Sequence, residues 1–139
     1  MKKIIILLII TLSLTSFTKY SESDFSIIGK WKGEDKKEAA YLIFKKNGYA
    51  YFKYQGQTLG GKKFLINEEK ATMTYEVDYS KTPMTIDIIV KKIETGEINK
   101  LLCIAEKIDK NQIKLQMDFT GVRPTEFNEN DSLIFNRTD

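Results

Sequence analysis

From Ala40 to its end the chain repeats one device: short runs in which apolar and polar residues alternate, separated by turn residues at spacings of roughly ten residues. Met73, Tyr75, Val77 and Tyr79 alternate with Thr72, Thr74, Glu76 and Asp78. Ile86, Ile88 and Val90 share one parity, with Thr85, Asp87 and Lys91 on the other. Ile113, Leu115, Met117 and Phe119 alternate with Lys114, Gln116 and Asp118. A period of two puts successive side chains on opposite faces of a strand, and a helix cannot sort such a pattern into an inside and an outside. The pattern predicts about eight strands and no long helix, hence an all-β domain, either a sandwich or a barrel. Consecutive hairpins favour a single antiparallel up-and-down barrel, and closure also removes the exposed edges that invite aggregation.

The turns divide the chain. Asn47-Gly48 lies between two aromatic-rich runs, the strongest local hairpin signal, and predicts strands over about 39–46 and 49–54. Gln55 to Lys63 holds Gly56, Gly60 and Gly61 and is expected to be a turn or irregular rim before Phe64-Leu65-Ile66. Thr82-Pro83, Thr95-Gly96 and Asp109-Lys110-Asn111 break later runs, and a long connection from Gly121 to Asp131 leads to a last strand carrying Leu133 and Phe135. The first strand is Ile27 to Gly33. It contains Trp31, the only tryptophan, with Gly29 on the same face leaving room for a close approach to the indole.

A chain of 139 residues makes one domain. Residues 1–18 have the parts of a secretory signal: Lys2-Lys3, the apolar run Ile4 to Ile10, then a stretch of small hydroxylated residues. The apolar run is shorter than the ~20 residues needed to span a bilayer. Cleavage is expected near Lys19, giving an exported, soluble domain over 19–139 in the periplasm or outside the cell. Losing Lys2 and Lys3 takes the balance from 22 basic against 19 acidic residues to 20 against 19, so charge makes no case for nucleic acid. Cys103 is the one cysteine, set among Leu101, Leu102 and Ile104, which reads as a small buried hydrophobe.

Catalysis has little to use. The chain has no histidine, which removes the commonest general base and histidine-based zinc sites. The acidic pairs Glu68-Glu69, Glu76/Asp78 and Glu94/Glu97 read as solvated surface. No cofactor and no metal is called for, and the expectation is a non-enzymatic protein.

Three motifs carry a resemblance. Gly29-Lys30-Trp31, with Arg137 in the last strand, looks like the first strand of lipocalin-like barrels and the basic residue that packs over its tryptophan. Thr82-Pro83-Met84-Thr85-Ile86-Asp87-Ile88 and Gly121-Val122-Arg123-Pro124-Thr125-Glu126-Phe127 follow in order. Together they resemble a bacterial family of small exported lipocalin-like domains of unknown function, over about 25–137. Met84 and Met117 depart from its usual lysine and cysteine. The resemblance implies a lipocalin-like barrel and an exported location, and no established activity.

Two readings of function follow. In the first, a monomeric barrel holds a small apolar molecule in an interior lined by Tyr75, Val77, Ile86, Ile88, Leu115 and Met117. In the second, a solid-cored envelope interaction protein or inhibitor meets a protein partner through rim loops presenting Tyr49, Tyr51, Tyr54 and the 56–61 segment. Within the motifs, Trp31 and Arg137 are expected to stack at a closed barrel end, and Asp87 to pair with Arg123. Pro124 is expected to fix the loop, with Glu126 in the same motif and Phe127 plugging a barrel end. The competing role for Arg123 is a ligand clamp at the barrel mouth.

Overall fold

A computed structural model describes residues 25–138, so the signal segment over 1–18 lies outside the described residues. Nine strands among them form one closed barrel: β1 (Gly29–Asp35), β2 (Glu38–Phe44), β3 (Ala50–Tyr54), β4 (Gln57–Ile66), β5 (Glu69–Asp78), β6 (Met84–Lys92), β7 (Ile98–Asp109), β8 (Gln112–Asp118) and β9 (Ser132–Thr138). The alternation read from the sequence sorts as expected. Trp31, Leu42, Phe44, Ile86, Ile88, Cys103, Ala105, Ile113, Leu115 and Phe135 form the core. Each large apolar side chain so buried contributes about 1.5–3 kcal/mol.

Every strand pairs antiparallel with both neighbours, including β9 with β1. A ring of nine cannot do this unless one strand reverses direction along its length, and β4 is that strand. Its first part pairs with β3, from Tyr54↔Gln57 to Tyr51↔Gly60, and its second part with β5, from Gly61↔Met73 to Ile66↔Glu69. Meanwhile β3 and β5 meet each other at the antiparallel bridge Tyr49↔Thr74. The two diverge from that point, and β4 folds into the opening, down one side and up the other. Eight strands therefore form the wall, and β4 is a wedge in it.

The reversal requires glycine. Gly60 and Gly61 have φ of +125° and +80°. A Cβ on Gly60 would lie 2.3 Å from the Ala50 carbonyl oxygen, and one on Gly61 would lie 2.6 Å from the Tyr51 ring. The turn expected over Gln55 to Lys63 is confined to Gln55 and Gly56; from Gln57 on the segment is strand, and Gly60 and Gly61 sit inside it and turn it. Tyr51 and Tyr54 lie in β3, as the strand expected over about 49–54 requires, and Tyr51 lines a cavity in the barrel.

Residues 25–28 fold over the end where β1 begins and β9 ends. Ile27 is fully buried, and its N–H donates to the Tyr79 hydroxyl (3.1 Å). The Trp31 Nε1–H donates to the Ile27 carbonyl oxygen (2.8 Å), and Phe25 packs 6.3 Å from the indole. Arg137 closes this end. Its guanidinium lies 4.2 Å from the Trp31 ring centre and donates to the carbonyls of Ser26 (2.8 Å), Ile28 (2.7 Å) and Lys110 (3.0 Å). Gly29, at φ +140°, makes room, because a Cβ there would stand 2.7 Å from the guanidinium.

The long connection between β8 and β9 straps the outer face of β6, β7 and β8. Arg123 pairs with Asp87 and donates to the Cys103 carbonyl oxygen (3.0 Å), while the Asn128 N–H donates to Gln116 Oε1 (2.7 Å). Asp87 and Gln116 alternate with core residues and so point outward. Ile104, outward by the same parity, is buried between them, and Gln116 is only 7% exposed. Pro124 is half-buried and Glu126 exposed. Phe127 does not plug a barrel end. It lies outside, with the Lys114 ammonium 4.9 Å from its ring centre, because Lys114 sits out of phase with the buried Ile113 and Leu115.

Candidate ligand cavity

At the end opposite Trp31, the opening between β3 and β5 enlarges the barrel interior into a cavity of about 580 Å³. That volume falls in the ~300–1,000 Å³ range of small-molecule sites. Its depth is apolar: Leu42, Phe52, Leu59, Phe64, Met73, Ile88, Val90, Leu101 and Met117 line it. Leu59 and Phe64 come from the two arms of β4, so the wedge that closes the wall also supplies two apolar side chains to the cavity. Asn67, Lys92, Glu97 and Asn99 stand at its mouth. Phe119 lines it too, with 76% of its surface exposed.

The six residues predicted to line the interior all pack in or against the core. The structure divides them. Ile88 and Met117 reach the cavity, whereas Tyr75, Val77, Ile86 and Leu115 do not line it. They pack in or against the core outside the cavity lining. Tyr75 shows why: its ring meets Phe44 edge-on at 4.8 Å, its hydroxyl donates to the Lys45 carbonyl oxygen (2.8 Å), and burial pushes its phenol pKa up. Arg123 is not at the mouth, since its partner Asp87 holds it to the outer face.

The mouth follows from strand parity. On β6 the inward column runs Ile86, Ile88, Val90, Lys92, and on β7 it runs Cys103, Leu101, Asn99, with Glu97 just before the strand, its carbonyl oxygen accepting from the Lys92 N–H (2.9 Å). On β5 it runs Tyr75, Met73, Ala71, Glu69, with Ala71 opposite Lys92. The three columns thus turn from apolar to polar or charged within one step of each other along the barrel. There the Lys92 ammonium bridges Glu69 (2.7 Å) and Glu97 (3.1 Å), and Asn99 donates to Glu97 (3.3 Å). Hydrogen bonding to Glu69 and then Glu97 raises the Lys92 pKa; Lys92, then Asn99, lowers that of Glu97. Glu69 and Glu97 are about half exposed, as their reading as solvated surface expects; Glu97 also lines the mouth, and Glu69 is tied to it through Lys92. The signal was present: each sits an even number of residues from a core position.

Nothing here makes Cys103 a nucleophile. It is buried, and desolvation pushes its thiol up to about 12, with Arg123 opposing and Asp87 adding to the shift. Comparison of the chain with protein-family models, with curated proteins and with solved structures finds no significant match.

Proposed function

We propose that this protein is an exported, lipocalin-like, non-enzymatic carrier that holds a small apolar molecule, as a monomer, in the cavity beside β4. The observation that carries the reading is the cavity itself: ligand-sized, apolar in depth, polar only at its mouth, and located where the wall is deliberately spread. The reading includes a place in the bacterial lipocalin-like family that the motifs resemble, and in this chain the motif residues act together. Gly29, Trp31 and Arg137 form one interlocked unit, and Asp87 and Arg123 another. Export rests on the signal-like residues 1–18; among the described residues no helix is long and apolar enough to cross a membrane.

The test is binding of an apolar fluorophore such as N-phenylnaphthylamine to the wild type and to Val90→Trp, which fills the cavity from its wall. Saturable binding by the wild type, lost in a variant of unchanged melting temperature, is expected. Equal binding by both proteins would refute the site.

The partner-binding reading keeps one specific support, relocated by the structure. Leu65, Ile98, Phe119 and Val122 expose apolar surface at the cavity end of the barrel. An envelope protein docking there would be lost in Val122→Ser, outside the cavity lining, with fluorophore binding retained.

A further inference from the structure

We propose that the cavity selects amphiphiles that carry a cationic head on an apolar tail; this rests on the carrier reading and assigns the class of its ligand. The apolar columns would take the tail. The head would then lie at the mouth beside Lys92 and Glu97, with Glu69 joined to Lys92. One ammonium between two carboxylates leaves the mouth with an excess negative charge. An anionic head would have to displace a carboxylate from Lys92, and it would meet repulsion from both. An ammonium head takes up the carboxylate valence that Lys92 leaves, and Asn67 and Asn99 offer further amide oxygens. The neighbouring lysines do not reverse this. Lys70, Lys91 and Lys100 are each one residue out of phase with the inward columns and sit exposed on the outer face.

Displacement of N-phenylnaphthylamine by dodecylamine, dodecanol and dodecanoate, all below micelle-forming concentrations, reads the preference directly because the tails are equal. Dodecylamine is expected to displace at roughly fivefold lower concentration than dodecanoate, the scale of a half-exposed ion pair, with dodecanol between. Glu69→Gln with Glu97→Gln leaves Lys92 as the lone charge of the cluster and should reverse the preference toward dodecanoate, and Lys92→Gln should widen the gap. High salt, about 1 M, should narrow it in the wild type, a measurement that needs no variant. Dodecanoate displacing as well as or better than dodecylamine overturns the head-group assignment while leaving the cavity as a ligand site. Failure of the wild type to bind the fluorophore at all instead removes the carrier reading and this inference with it.

Discussion

Arg137 lays its guanidinium over the Trp31 indole while donating to carbonyls of the segment that folds over the barrel end, Ser26 and Ile28, and of the β7–β8 turn, Lys110. One side chain thus joins the first strand, the last strand and a turn that neither touches in sequence. Trp31→Ala should cost ~3–5 kcal/mol, the range for losing a buried aromatic. Arg137→Ala should cost about 2–3 kcal/mol, combining a cation–π contact with charged hydrogen bonds. Denaturant midpoints measure both. Small, equal losses would show that neither side chain holds the end closed.

Gly60→Ala tests the wedge. The added methyl meets backbone, the Ala50 carbonyl oxygen, and the φ of +125° is one that alanine resists. A loss of about 3 kcal/mol is expected, together with weakened fluorophore binding, because β4 must move away from β3. A variant of unchanged stability would mean that β4 does not reverse at this point.

Asp87 and Arg123 should be energetically coupled. Their side chains are 20% and 30% exposed, between a surface pair and a buried one. A double-mutant cycle with Asp87→Asn and Arg123→Gln is expected to give a coupling of about 1–3 kcal/mol. A value near zero would leave the strap held by the Gln116 contact and apolar packing alone.

These pairings were legible before the fold was known; of the cavity, only an apolar interior reaching Ile88 and Met117 was, and not its place beside β4 or its mouth. Trp31 with Arg137, and Asp87 with Arg123, are carried by compact motifs whose residue types admit few structural roles. Asn47-Gly48 specified its hairpin because its turn chemistry is local. The β4 wedge was hidden because glycine inside a strand and glycine in a loop look alike until a partner strand is in place; Gly60 is forced by Ala50, which precedes it by ten residues on another strand. The mouth was hidden for a different reason. Lys92 and Glu97 keep the inward parity of Ile88 and Leu101, but charge at the end of an apolar run reads as solvent exposure. Phe127 was misplaced because an apolar residue in a loop was assumed to turn inward, whereas the strap packs on the outer face.

Cys103 should make stability fall at high pH. The unfolded thiol ionises near its ordinary value of 9.0, while the folded thiol holds its proton up to about 12. Between those values the unfolded state binds fewer protons, so ΔG of unfolding decreases as pH rises, by up to ~1.4 kcal/mol per pH unit from this group. Relative to Cys103→Ala, the wild type should lose stability more steeply from pH 9 to 10.5. Parallel curves for the two proteins would mean that the thiol is not held neutral by the fold.

The most direct test of the carrier account is a methyl NMR titration of the protein with dodecanol, whose neutral head leaves the mouth charges out of the result. Methyl shifts are expected at Met73, Ile88, Val90, Leu101 and Met117, which line the cavity, and not at Ile86, Ile113 or Leu115, which are buried in the core outside its lining. An unchanged spectrum, or shifts confined to exposed methyls such as those of Ile28 and Ile134, would contradict it.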